Sequence, residues 1–95
     1  MYTTKDIAKM HRLLGKTERA LELIEPVVKD LKAKKQSDGY ISAEYGECLL
    51  AAGRKAEAKP YLVEAFELLS KDPYMLQHEA DELSRLKTLA GIGKE

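Results

Sequence analysis

YISAEYGECLLAAGRKAEAKPYLVEA, residues 40–65, is the stretch on which the fold turns. Tyr45 and Leu49 stand one helical turn apart before Gly53, and Ala58, Leu62, Ala65, Phe66 and Leu69 follow it at three- and four-residue intervals. Apolar residues at that spacing line one face of a helix. A glycine between two such segments is the residue that most easily takes the left-handed conformation closing a helix end. The stretch therefore predicts two helices joined by a tight turn, one from Tyr40 to Ala52 and one from about Lys55 to Ser70. Ser37 or Asp38 is placed to cap the first of them.

The pattern continues on both sides. Gly15, Gly53 and Gly91 fall 38 residues apart. A shift of 38 pairs Ile7 with Tyr45 and Leu83, Ala8 with Gly46 and Ser84, Leu13 with Ala51 and Leu89, and Leu14 with Ala52 and Ala90. Beyond the first two glycines it pairs Ala20 with Ala58, Ile24 with Leu62, Val27 with Ala65, and Leu31 with Leu69. An internal repeat of this length marks a helical solenoid. One unit is written two and a half times: repeat 1 over about 3–36, repeat 2 over about 38–71, and a C-terminal capping helix over about 73–90, within a single domain 1–95.

The remaining helices follow from the same signals. Thr3 or Thr4 caps a first helix through Leu14 along Ile7, Met10, Leu13 and Leu14, with Gly15 its stop. Thr17 caps a second, whose seam is Ala20, Leu23, Ile24, Val27, Val28 and Leu31, running out between Lys32 and Gln36. Asp72 followed by Pro73 opens a fifth helix that reaches Ala90. Pro26 and Pro60 lie inside the second and fourth helices, off the seams, and are expected to bend or locally break them and to leave the carbonyls of Glu22 and Ala56 to water. Strand signals are nearly absent, so the expected class is all-α, a right-handed solenoid of five helices.

Ninety-five residues make one small domain that buries roughly 60 to 65% of its unfolded surface. Sixteen basic and sixteen acidic side chains cancel, so no global field draws the chain to nucleic acid or an anionic membrane. The charge is polarised nonetheless: residues 1–36 hold nine basic and five acidic side chains, and residues 37–95 hold seven and eleven. No uncharged apolar run approaches a membrane span, the N-terminus shows no secretory signal, and the single Cys48 can form no internal disulfide. A cytoplasmic location is expected.

The second unit, Ser42, Tyr45, Gly46, Leu49, Gly53, Ala58, Leu62 and Ala65, resembles the tetratricopeptide repeat, a helix-turn-helix unit with aromatic, Leu, Gly, Tyr, Gly, Ala, Phe and Ala at those places. The first unit resembles it through Thr4, Ile7, Ala8, His11, Gly15, Ala20, Ile24 and Val27, and a half-unit through Ala80, Leu83, Ser84, Lys87 and Gly91. The period is 38 where the family has 34, fitting an extra turn on each second helix, and the opening aromatic is missing. Lys87 stands where the family has Tyr, as suits a terminal helix facing water. The resemblance implies a superhelix whose concave face, lined by the first helix of every unit, binds a partner peptide or protein as an adaptor or scaffold. The residues it implies are Tyr2, Lys5, Lys9 and Arg12 on the first helix, Tyr40, Ala43, Glu47 and Leu50 on the third, and His78, Asp81, Arg85 and Thr88 on the fifth. Lys5, Lys9 and Arg12 make a basic strip beside two tyrosines, a combination that holds an acidic extended peptide. The clamp by which some family members grip a chaperone's C-terminal carboxylate is not reproduced, because Lys9 and Glu44 stand where it has Asn.

Chemistry finds no constellation here. Cys48 lies in an apolar run without an activating His, and no phosphate loop, paired CxxC or serine elbow is present, so no enzyme, cofactor or metal is expected. His78 and Glu82, one turn apart on the predicted fifth helix, are read as surface charge. The segment Thr4-Lys5-Asp6-Ile7-Ala8-Lys9 looks like the start of a repressor's DNA-reading motif, but such motifs place Gly four residues after the Ala, and here the first is Gly15. Nucleic acid and membrane are therefore not the expected partners. The competing reading is structural: two and a half units barely reach the three that solenoids need, and the polarised charge favours a homo-oligomer by head-to-tail or face-to-face packing, or a piece of a longer array.

Overall fold

A computed structural model describes residues 3–91, and among them it forms six α-helices and no strand. They are α1 Thr4–Leu13, α2 Thr17–Ala33, α3 Gly39–Ala51, α4 Lys55–Leu69, α5 Pro73–His78 and α6 Ala80–Ala90. Three begin with the side-chain caps that their sequences announce. Thr3 Oγ1 accepts the Asp6 N–H at 3.2 Å while Asp6 Oδ2 accepts the Thr3 N–H at 3.2 Å, a reciprocal box at the start of α1. Asp38 Oδ1 accepts from Tyr40 N–H at 2.9 Å and Ile41 N–H at 3.2 Å, and Asp72 Oδ1 accepts from Tyr74 N–H at 2.9 Å with Pro73 in the first turn. Such caps contribute about 1 kcal/mol each.

Thr17 does not cap α2, contrary to the sequence expectation; it is the first helical residue, and Lys16 precedes it without a side-chain bond. The turn before it is closed by backbone. Gly15, at φ 82°, lets Lys16 N–H reach His11 O at 2.8 Å and Gly15 N–H reach Arg12 O at 3.0 Å. Gly53, at φ 79°, repeats the motif with Arg54 N–H on Leu49 O at 2.8 Å and Gly53 N–H on Leu50 O at 3.0 Å. Leaving one helix through this motif leaves a single residue, Lys16 or Arg54, at the cap of the next, and neither side chain has an acceptor for the helix N–H groups. The end of α2 uses the same closure, Gln36 N–H on Leu31 O at 2.8 Å, but with Lys35 at φ 55° in the glycine place. A side chain there is strained by about 1–2 kcal/mol. Lys35→Gly is expected to raise unfolding stability by about 0.5–1 kcal/mol, the strain relieved less the backbone entropy that glycine adds. A urea midpoint unchanged or lowered in Lys35→Gly counts against it.

The predicted fifth helix is two. Glu79, at φ −128° and ψ 38°, separates α5 from α6, although its N–H still reaches Met75 O at 2.9 Å and its carbonyl still accepts from Leu83 N–H at 3.1 Å. Neither Pro nor Gly lies between Tyr74 and Ala90 to force this break. Charge favours it: Asp81 and Glu82 fall in the first turn of α6 and His78 in the last turn of α5, each beside the helix end of opposite partial charge. In one continuous helix these three would lie in the interior without that benefit. The prolines act more mildly than a break. Both α2 and α4 run on through Pro26 and Pro60, which are exposed, as are Glu22 and Ala56.

The core forms where the second helices meet the first. Ala20 and Ile24 of α2, Cys48 and Leu49 of α3, Ala58, Leu62 and Ala65 of α4, and Leu86 of α6 are fully buried. The larger of these side chains contribute about 1.5–3 kcal/mol each by leaving water. The most extensive packing joins α3 with α4, then α1 with α2; α2 also lies on α3, α1 on α3, and α6 on α4. At the α2–α3–α4 corner the Tyr45 and Tyr61 rings meet edge to face at 4.6 Å, and the Tyr45 hydroxyl donates to Glu25 Oε2 at 3.4 Å. Ser42, in the place where an aromatic was expected by resemblance, is buried and donates to Glu64 Oε2 at 2.5 Å, which turns an apolar contact between α3 and α4 into a polar one.

Candidate functional site

Three helices, α1, α3 and α6, present side chains to a common face, with Arg12 of α1 and Arg85 of α6 reaching carboxylates of α3 from either side. A ladder of ion pairs crosses it. Arg12 donates Nε–H to Glu44 Oε2 at 2.6 Å and Nη2–H to Glu44 Oε1 at 3.2 Å, and Nη2 stands 3.8 Å from Glu47 Oε2. From the other side Arg85 donates Nη1–H to Glu47 Oε2 at 2.7 Å, bonds Glu47 Oε1 through Nη2, and approaches Glu82 Oε1 at 3.5 Å. Glu44 and Glu47 are buried. Burial works against the charge on Arg12, but hydrogen bonding and the charge of Glu44, then the charge of Glu47, outweigh it and hold the guanidinium above its ordinary pKa. Arg85 is raised chiefly by its hydrogen bond to Glu47, against a smaller loss from burial.

Above the ladder lies a cleft of about 240 Å³ between α1, α3 and the α5–α6 junction. The α1 wall carries Lys5, Asp6 and Lys9, α3 contributes Glu44 and Glu47, and the facing wall carries Glu79 and Glu82; Tyr40, Ala43, Tyr74, Met75 and Leu86 supply apolar and aromatic lining. Lys5 Nζ lies 5.1 Å from the Tyr40 ring centroid and 3.7 Å from Asp6 Oδ1, and the Tyr40 hydroxyl donates to Asp72 Oδ2 at 3.2 Å. The cleft thus holds two lysines, both on the α1 wall, among five carboxylates around exposed aromatic surface.

Of the residues singled out from sequence, Lys5, Lys9, Tyr40, Ala43 and Glu47 line this cleft together. Arg12 and Arg85 lie in the ladder beneath it, so the strip Lys5–Lys9–Arg12 does not offer three free cations. Leu50 lines a separate depression between α4 and α6 with Lys59 and Thr88, and Asp81 is exposed outside the cleft. Tyr2 lies outside the described residues. His78 and Glu82 are on different helices, and the His78 ring packs on Tyr74 at 4.8 Å. Glu44, Tyr74, Glu79 and Glu82 line the cleft although the sequence reading placed none of them on the binding face; it set Glu44 against a carboxylate clamp and took Glu82 as surface charge. A signal for two of them was present, because Asp6, Glu44 and Glu82 occupy one repeat position and are acidic in all three units.

Cys48 is fully buried, with its Sγ–H donating to Glu44 Oε2 at 3.3 Å. Burial first, then the charge and hydrogen bond of Glu44, push the thiol up from 9.0 to about 12. The unfolded thiol ionises first, so the stabilisation that comes from keeping it neutral is complete below pH 9.0 and drains away as pH rises toward 12. A disulfide reagent at pH 8 is expected to label Cys48 fully in denaturant and negligibly in the native protein; labelling at equal rates sinks the prediction. Among the described residues, no three His, Cys, Asp or Glu side chains gather closely enough to hold a metal ion, and no helix is long and apolar enough to cross a membrane. No protein-family model, curated protein or solved structure matches the chain.

Proposed function

We propose that the chain is a protein-interaction module, a short right-handed stack of helical hairpins resembling tetratricopeptide repeats, which binds an extended segment of a partner in the cleft between α1, α3 and the α5–α6 junction. The observation that carries the reading is the cleft itself, with lysines on the α1 wall, glutamates on α3 and the facing wall, and tyrosines between them. Supporting it are the repeat register, the paired helices closed by the same glycine turn, and the helix order in which α6 lies on α4 as α3 lies on α2. Extents of 33 × 26 × 25 Å allow only the beginning of a superhelical groove, so the bound segment is a few residues long. A partner strand lying here meets Lys5 and Lys9 with acidic groups and Glu79 and Glu82 with basic ones, a bipolar preference in place of the purely acidic one expected from the strip.

Affinity capture with the natural chain and two charge-reversed forms, Lys5→Glu and Glu79→Lys with Glu82→Lys, tests this. Arg12 is left intact because its removal disturbs the ladder. A partner that either reversal releases, while Lys29→Glu on exposed α2 retains it, supports the cleft. One held equally by both reversals places recognition on another surface.

A further inference from the structure

One apolar stripe is left uncovered. Shifted by the repeat, Leu83, Leu86 and Ala90 of α6 correspond to Ile7, Met10 and Leu14 of α1. In α6, which packs on α4, those three residues are 6%, 0% and 1% exposed. The middle position is Cys48 in α3, which packs on α2 and is also fully buried there. In α1, where no helix among the described residues covers them, Met10 and Leu14 are 43% and 71% exposed and the adjoining Leu13 is 67% exposed. The end of a helical stack that meets water carries polar residues on its outer face. At the opposite end α6 does so, with Asp81, Ser84, Lys87 and Thr88 exposed. On α1 the residues are instead larger and no more polar than Cys48 and Ala90, so among the described residues this face is apolar where the outer face of α6 is polar.

We infer that the stripe of Met10, Leu13 and Leu14 is a docking face for an amphipathic helix of a partner protein, seated on α1 as α4 is seated on α6, with acidic residues flanking its apolar side. The inference rests on the stacked-hairpin reading. Charge selects the occupant. Lys9 borders the stripe and Lys16 follows Leu14 across the turn, while Asp6, one turn before Met10, has Lys5 beside it at 3.7 Å; Lys9 and Lys16 are exposed, and among the described residues neither has an ion-pair partner. Two copies meeting stripe to stripe would bring these lysines together, whereas a helix with glutamates along its edges answers them.

The probe is a synthetic helix of about 18 residues, long enough to hold its own helicity. Its apolar side chains are spaced like Ala58, Leu62, Ala65 and Leu69 of α4 and set in an alanine- and glutamate-rich host; a matched probe has lysine for glutamate. Labelled probe is titrated with the full chain, followed by anisotropy. The glutamate probe is expected to saturate, and the lysine probe to bind at least about tenfold more weakly, a difference of about 1.4 kcal/mol. Met10→Gln with Leu14→Gln is expected to lose binding while its thermal melt stays within a few degrees of the natural chain, both side chains being exposed. Glu79→Lys with Glu82→Lys, across the cleft, is expected to leave probe binding unaltered, so that failure of the cleft and failure of the stripe are read from different variants. No saturation by the glutamate probe, equal binding by the Met10/Leu14 variant, or sedimentation showing dimers of the natural chain that this variant dissolves each overturns the inference, the last by making a second copy the occupant.

Discussion

Arg12→Ala is expected to destabilise the chain by about 3–5 kcal/mol, the cost of breaking a buried ion pair on one side. The Arg12 side chain is 13% exposed, Glu44 6% and Glu47 8%. Removing the guanidinium does not orphan the two carboxylates equally. Glu47 keeps Arg85, while Glu44 is left with only the Cys48 thiol, a weak donor. The penalty is therefore the burial of one uncompensated charge, and it takes a large part of the 5–15 kcal/mol by which small domains are stable. Arg85→Ala removes a pair in which the arginine is 47% exposed, and solvent screening holds that loss to about 1 kcal/mol or less. Arg12→Met combined with Glu44→Leu deletes both partners and leaves no buried charge unpaired, so it is expected to recover most of the stability lost in Arg12→Ala. Urea unfolding of the single and double variants measures this. A double variant no more stable than Arg12→Ala, or Arg12→Ala costing no more than Arg85→Ala, shows that the ladder does not contribute in this way.

The ladder also marks where sequence reasoning stopped. Helix ends were legible at Gly15, Gly53 and Gly91, because a left-handed residue at a helix terminus has a nearly unique composition, and at Asp38 and Asp72, because capping is local. The resemblance put Lys5, Lys9 and Arg12 of α1 and Tyr40, Ala43 and Glu47 of α3 on one face, and the helical period agreed for α1. What it lacks is the lateral distance between neighbouring helices. Arg12 and Glu44 are 32 residues apart, and only the packing of α1 on α3 turns two solvated charges into a pair. The cap expected of Thr17 failed for a related reason, since the turn from Gly15 had already been closed by backbone hydrogen bonds. The break at Glu79 was legible in the acidic residues Asp81 and Glu82 that follow it, but a proline cap at Asp72 and apolar residues at helical spacing through Ala90 outweighed them. Met10, Leu13 and Leu14 have the spacing of a core seam and are exposed because no helix among the described residues covers them.

Gly46→Val is expected to cost about 3 kcal/mol or more, for steric and not conformational reasons. A Cβ at Gly46 would stand 2.7 Å from Leu62 Cδ2, 2.8 Å from Leu62 Cγ and 3.5 Å from the Ala58 carbonyl oxygen. Leu62 is fully buried, so it can give way only by shifting within the core. Within a helix, replacing glycine normally gains up to about 1 kcal/mol, so any loss measures the clash against that gain. Gly15→Ala is the contrast: nothing lies within 4 Å of its added Cβ, and its cost comes from φ 82° alone. Leu62→Ala by itself opens a cavity and is expected to cost about 2–5 kcal/mol. Joined to Gly46→Val it should cost clearly less than the sum, because the new methyls occupy the space that Leu62 vacates. Strict additivity would mean that the two side chains do not compete and that α3 and α4 are not held together at this point. The close approach has a further consequence for the cleft. Glu44 and Glu47 flank Gly46, so the depth to which α3 settles on α4 also sets where both carboxylates meet Arg12. In the rescued double variant the coupling between Arg12 and Glu44 should therefore persist, while in Gly46→Val alone it should fall together with the stability.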